Sequence, residues 1–294
     1  MDGWPLVAAL TSALLHAAWN AAVKAHPAPR EAMAAQMTGA ALLAALGLVA
    51  TGLPPPAAWP WIAASTTLNV CAVLALLRAY ELGGFGTVYP VMRAIGVLGV
   101  AAVAPFALGE RLGPGAMLGV GLIVAALLLL TRDAHGVVGA QAGAQAADFP
   151  PKALAWTALA GVITSGYVLA DAQGARSGGA GVGAAAGPLA YGLAVSVSNA
   201  LAMSWVSRAA GAPWALLARH WRLVLPVSSA SMLSYLLILW VFTRAPVAPA
   251  AALRDTSAVF AMLIAVVWLK ERLRPRRWLA LALVIAGVPL LRLG

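Results

Sequence analysis

Two arginines stand inside apolar sequence in this chain, Arg93 in "VYPVMRAIGVLGV" and Arg254 in "AAALRDTSAVFA". A guanidinium presents forked N–H donors that can hold a carboxylate, phosphonate or other anion two bonds at a time. Its bland alternative is to bond backbone carbonyls or a carboxylate and only hold helices together. A charge inside an apolar span costs about 2.5–3.5 kcal/mol or more, so such a residue reads by default as part of a site. Asp255 directly follows Arg254, about 100° away around a helix, so the two cannot share a face. We expect Asp255 to reach Arg93 instead. That pairing would neutralise one arginine and leave Arg254 for an anionic ligand. It would also supply a carboxylate whose protonation could couple to a proton gradient, the alternative being a permanent ion pair that never titrates.

Further polar groups fall at helical spacing. His16, Asn20 and Lys24 recur every four residues and Trp19 sits beside them, giving one polar stripe on an apolar helix. Such a stripe faces a cavity or bonds a neighbouring helix, and Lys24, at its end, suits snorkelling to headgroups. Tyr89, Tyr167 and Tyr235 are aromatic candidates for a cavity wall, with Tyr80 and Trp240 in reserve; interfacial anchoring fits any one of them as well. Pro90 and Pro249 occupy matching places before the two arginines, where lost backbone donors are expected to break helices and mark a binding site. No Gly-Lys-Ser/Thr phosphate loop, His-Glu-x-x-His stretch or Gly-x-Ser-x-Gly elbow is present. An intrinsic ATPase and a hydrolytic elbow are therefore excluded, and no cofactor or metal site is expected. With a single cysteine, Cys71, the chain has no intrachain disulfide.

The elements that must position these groups are read from composition. The chain is 62% hydrophobic and 10% charged over 294 residues, whereas soluble domains carry about 25% charged residues. Lipid is the solvent such a sequence needs. The net charge of +10 resembles a nucleic-acid signal, but the basic residues cluster in short loops between apolar runs, and membrane topology accounts for them without a nucleic acid. Cutting at prolines, glycines and charges predicts ten helical spans near 4–25, 32–52, 58–80, 85–108, 112–131, 153–172, 184–207, 221–243, 247–269 and 276–293. The longest polar stretch, 132–152, separates five spans from five.

Two phrases point to a duplication. "GERLGPGAMLGVGLIVAALLLL" from Gly109 and "KERLRPRRWLALALVIAGVPLL" from Lys270 match at an offset of 161, including Glu110/Glu271, Leu112/Leu273 and Pro114/Pro275. Arg93 and Arg254 share the same offset. Five is odd, so the second copy enters from the opposite face. The expected architecture is an all-α membrane protein of two inverted five-helix repeats, 1–131 and 153–294, joined by a 132–152 linker. Each arginine lies 17 residues before its glutamate, about 25 Å of helix rise, which brings both toward one central cavity from opposite sides. Asp255 reads as the sole acid clearly inside a span. Glu110 and Glu271 fall in loops, where capping or a salt bridge is expected. Gly115, Gly119 and Gly121 suit close helix packing.

"LLHAAWNAAVK", "VYPVMRA", "TRAPVAPAAALRDTSAVFA" and the two Glu-Arg-Leu phrases resemble the EamA branch of the drug/metabolite transporter superfamily over nearly the whole chain. The resemblance implies a ten-helix secondary carrier, not an enzyme, moving a small metabolite across the inner membrane of a bacterium by alternating access. We expect an exporter of a small polar solute with an anionic group, such as an amino acid or organic acid, acting as a monomer or homodimer with protons as the candidate coupling ion. A lipid-linked carrier flippase, or an intramembrane enzyme acting on lipid-linked substrates, is the alternative. Lys and Arg number 13 in loops 1–2, 3–4, 5–6, 7–8 and 9–10 against 4 on the other face. Positive loops stay cytoplasmic, so both termini are expected in the periplasm, although members of the superfamily are usually drawn the other way.

Overall fold

The computed structural model describes residues 3–83, 85–142, 150–177, 186–206, 213–269 and 275–291, and every regular element among them is helical. In chain order they are α1 (Gly3–Lys24), α2 (Pro29–Thr51), α3 (Trp59–Leu82), α4 (Phe85–Ala107), α5 (Pro114–Ala142), α6 (Pro151–Ser177), α7 (Ala186–Val206), α8 (Pro213–Phe242), α9 (Val247–Asp255), α10 (Ser257–Leu269) and α11 (Pro275–Leu290). Among the described residues, six stretches are long and apolar enough to cross a membrane: Gly3–Val23, Glu31–Thr51, Pro56–Leu82, Val88–Ala107, Pro151–Ser177 and Leu217–Phe242. The matched prolines of the repeated phrase, Pro114 and Pro275, each open a helix. Proline belongs there because the first helical N–H has no partner in any case. The charged break of the second copy, residues 270–274, lies outside the described residues, as do Gly84 and positions 143–149 of the linker.

Three expectations are corrected. The 132–152 linker is not wholly a loop, since α5 runs on to Ala142. No proline lies between Thr131 and Ala142, and the helix carries on through Gly136 and Gly139 although glycine disfavours it. Pro90 does not break its span: it sits inside α4. Pro249 is the third residue of α9, where a missing N–H removes little. The interruption of the ninth span comes later, at Thr256, directly after Asp255. There the Thr256 hydroxyl donates to Leu253 O at 2.6 Å, and the backbone passes from α9 to α10 through a tight turn with φ −61° and ψ −10°. Helix α8 is bent at His220, whose φ −113° and ψ 17° are not helical. At this elbow His220 lies 3.3 Å from Glu31 at the start of α2, and its ring meets the His26 ring edge-on at 4.7 Å.

The helices pack in pairs across the two halves. Helix α3 lies along α6 and α1 along α8; α4 lies along α6 and α1 along α9 and α10; α2 meets α7 and α8, and α5 meets α11. Because lipid tails are as apolar as leucine, such contacts depend on close fit and interhelical hydrogen bonds. The buried faces are accordingly rich in alanine and serine. Ser12 of α1 donates to Ser234 O at 2.6 Å, and Ser234 donates back to Ser12 O at 2.7 Å. Ser165 of α6 donates to Gly96 O of α4 at 3.0 Å. Many large apolar side chains turn outward, with Val49 86% and Phe106 90% exposed, as a lipid-facing surface requires.

Among the expected packing glycines, Gly119 and Gly121 part company. A Cβ on Gly119 would stand 2.8 Å from the Gly287 carbonyl oxygen of α11 and 2.7 Å from Leu291, whereas one on Gly121 meets nothing within 4 Å. Backbone cannot yield as a side chain can, so Gly119→Ala is expected to cost about 1–3 kcal/mol. Gly121→Ala should be neutral or slightly stabilising. Thermal unfolding of the two variants in detergent separates them.

Candidate functional site

Helix α4 carries Tyr89 and Arg93 one turn apart on one face, α1 brings His16, and α9 ends on Arg254 and Asp255 just where the ninth span is interrupted. Arg93 Nη1 donates to Asp255 Oδ1 at 2.9 Å, the pairing expected from the sequence. Its Nε and Nη2 donate to the Tyr89 hydroxyl at 3.1 and 2.9 Å, and Nη2 lies 3.2 Å from His16 Nε2. An arginine nitrogen can only donate, so His16 accepts through Nε2 and carries its proton on Nδ1. Four of the five guanidinium N–H bonds of Arg93 are thereby committed. The pair is almost fully buried, with Arg93 13% and Asp255 8% exposed at the side chain.

Arg254 is treated differently. Its Nε is buried without a hydrogen-bond partner, and its guanidinium stacks over the Tyr235 ring at 5.9 Å from the centroid. It shares a narrow cavity with Arg93, Asp255, Thr164, Tyr167 and Phe242, so α4, α6, α8 and α9 all contribute to the wall. One arginine has four of its five N–H bonds engaged and the other holds unused donors. The cavity measures only about 20 Å³, room for about one water molecule; once widened, it would let Arg254 hold an anion without breaking the Arg93–Asp255 pair, with the Tyr167 and Thr164 hydroxyls beside it.

The remaining expected residues divide. His16, Tyr89, Tyr167 and Tyr235 all join this cluster or its wall. Asn20 does not: its amide donates at 2.8 Å to His16 O on its own helix. Trp19 meets the His16 ring edge-on at 5.3 Å but otherwise packs with Val23, Ala32 and Val227, and its Nε1 is buried without a partner. Nothing is described of the Lys24 side chain. Glu110 acts as the sequence suggested. It accepts from Arg176 Nη2 at 2.5 Å and from the Val247 N–H at 2.8 Å, capping the first turn of α9 and tying it to the ends of α4 and α6. Arg78 and Glu81 form a local, exposed pair.

One acid is not evident from the sequence. Asp171, placed there at the end of span six, lies within α6, which continues to Ser177, and is 3% exposed; Asp255 is therefore not the sole buried acid. It accepts from Ser65 Oγ of α3 at 2.6 Å, Tyr191 OH of α7 at 3.1 Å and Tyr235 OH of α8 at 2.9 Å. The signal that marks it is spacing. Asp171 falls four residues after Tyr167, on the face already assigned to the cavity, as Arg93 falls four after Tyr89. Tyr191 is hidden with it, having no charged neighbour in sequence to mark it. Among the described residues no group of three or more His, Cys, Asp or Glu side chains could hold a metal ion.

Comparisons with known proteins bear on the chain as a whole. Residues 152–293 match the model of the EamA-like transporter family. A 45-residue stretch is 44% identical to the multidrug transporter PA4990 of Pseudomonas aeruginosa; it is 15% of this chain and 41% of that protein, so the chain spans under half the length of that relative. A solved crystal structure superposes on 100% of this chain and 98% of its own with a TM-score of 0.71 at 20% identity, a likeness of fold.

Proposed function

We propose that the whole chain is a ten-helix secondary carrier built of two inverted five-helix repeats, 1–131 and 153–294, a reading supported by the match of residues 152–293 to the EamA-like transporter family. The family match begins where the second repeat was expected to begin. The packing supports the same division, because contacts exchange in pairs: α1 with α8 answers α6 with α3, and α1 with α9–α10 answers α6 with α4. Helices α5 and α11, which hold the repeated phrase, pack on one another and serve as scaffold.

The observation that carries the reading is Arg254, buried in the shared cavity with an unbonded Nε. Arg254 anchors the anionic group of a small polar solute, an amino acid or organic acid, while Tyr167, Tyr235 and Tyr89 complete the wall. The Arg93–Asp255 pair joins the two halves at mid-membrane and parts as they rock. In parting it exposes Asp255 to a proton, which makes this carboxylate the coupling group. The carrier is an exporter in the bacterial inner membrane, with termini on the periplasmic face by the charge bias. It acts as a monomer or homodimer. Counterflow of labelled amino and organic acids by proteoliposomes tests the carrier itself: saturable exchange of one class supports it, and hydrolysis or no exchange of any class refutes it. Asp255→Asn is expected to flatten the pH dependence of that exchange. A variant that keeps the full wild-type pH profile would remove Asp255 from coupling.

A further inference from the structure

The Asp171 carboxylate is a buried acid of a different kind from Asp255. Among the described residues no cation forms an ion pair with it; its partners are three hydroxyls, one from each of α3, α7 and α8. A carboxylate offers about four lone-pair positions. Ser65 and Tyr191 occupy both positions on Oδ1, and Tyr235 occupies one on Oδ2. One position on Oδ2 is left over. The titratable or charged groups facing it are Tyr167 on its own helix, Tyr191, Tyr235, and across the cavity Arg254, with Arg93 and Asp255 beyond; α3 brings only the Ser65 hydroxyl.

Three donors aimed at one carboxylate are matched to its ionised form, which can only accept. A proton takes the vacant position on Oδ2 and, by removing the charge, weakens all three of those bonds. Tyr191 has other acceptors in reach, Trp61 O at 3.4 Å and Ala170 O at 3.5 Å, so its O–H can turn away at little cost. Tyr235 has no second acceptor among the described residues. Its O–H keeps Oδ2 as its acceptor, but protonation turns that oxygen from half of a carboxylate into the hydroxyl of a neutral acid, a much weaker acceptor. The Tyr235 ring is the platform under the Arg254 guanidinium, so loosening the tether on its hydroxyl lets the ring shift and reaches the free arginine of the cavity.

We propose that Asp171 is a proton-binding site that acts through Tyr235 on Arg254. The proton comes from water on one side of the membrane, forms an O–H bond at Oδ2, and returns to water when that bond breaks; no other covalent bond changes. Protonation loosens the grip of α3, α7 and α8 on α6 and alters the setting of Arg254. Deprotonation restores both. Ionised Asp171 thus belongs to one arrangement of the helices around the cavity and neutral Asp171 to another. The existence of this site does not depend on the carrier reading, but its use in transport does.

Infrared spectroscopy of the purified full chain, titrated from about pH 5 to about pH 9, tests it. The expected result is a carboxylic-acid C=O band that appears with acid, is lost in Asp171→Asn and is retained in Asp255→Asn. Ser65→Ala and Tyr235→Phe each remove one donor, and each is expected to shift the band and to move its midpoint by about one pH unit, about the worth of one hydrogen bond. These two variants carry the test if Asp171→Asn does not fold. A band unaltered in Asp171→Asn, indifferent to both hydroxyl deletions, or absent across the range overturns the proposal. Counterflow that persists without the band would leave the carrier reading standing, and a titrating Asp171 in a chain that exchanges nothing would leave the site standing without its use.

Discussion

Arg254→Gln is expected to abolish exchange of the anionic solute while leaving the protein folded. The side chain spends no hydrogen bond among the described residues on holding the structure; its Nε is buried without a partner and its plane rests on Tyr235. Charge-assisted hydrogen bonds are worth about 1.5–3 kcal/mol each, and each 1.4 kcal/mol is about tenfold in affinity. Losing a two-bond clamp therefore lowers the affinity about a hundredfold or more. The unliganded protein should show the opposite trend. An uncompensated charge in a span costs about 2.5–3.5 kcal/mol, so the glutamine variant is expected to unfold at the same temperature as the wild type or a higher one. Loss of exchange with stability kept or raised marks a ligand-binding arginine. A fall in both would mark a structural one.

Arg93→Leu is expected to do the reverse, with the largest loss of stability of any single substitution in the cavity wall. It strands Asp255 as a buried carboxylate and deprives Tyr89 and His16 of their shared partner. Removing one member of a buried ion pair costs about 3–5 kcal/mol. Replacing both members by apolar residues is often near neutral, so Arg93→Leu combined with Asp255→Leu should recover most of the loss in thermal unfolding. Arg93→Lys keeps a charge but not the fork, and cannot serve Asp255, Tyr89 and His16 at once. It should fall between. If the single and double variants unfold alike, the pair does not hold the halves together.

The parts of this site that are legible in the sequence share a physical cause. Charge in an apolar run is expensive, so Arg93, Arg254 and Asp255 are conspicuous, and the 100° between neighbours on a helix is enough to send Asp255 toward Arg93 rather than Arg254. The doubled Glu-Arg-Leu-x-Pro phrase marks where α5 and α11 begin, because proline is tolerated where a helix opens. Glu110 caps not α5, the helix its own phrase opens, but the first turn of α9. Hydroxyls are cheap in a helix, and nothing in the sequence distinguishes Ser65 or Tyr191 from any other serine or tyrosine. Their role is set by which helices meet, a matter of packing that spacing along one chain does not encode. Asp171 is obscured by an end-of-span boundary set too early. Pro90 and Pro249 mislead for the opposite reason. Pro249 is third in α9, where its missing donor has no helical partner to lose, and Pro90, sixth in α4, forgoes a bond to Gly86 O without ending the helix, while the real interruption at Thr256 is made by a hydroxyl folding back on Leu253 O.

Arg254 is proposed to hold an anion in a cavity shared by both halves of the chain. Thermal unfolding of the purified protein against a panel of amino and organic acids tests it most directly, with wild type and Arg254→Gln run side by side. A ligand at a hundred times its Kd adds about 2.7 kcal/mol of stability. At least one anionic solute should raise the wild-type melting temperature by several degrees and leave the glutamine variant unmoved. Equal stabilisation of both proteins, or of neither by any member of the panel, would contradict it.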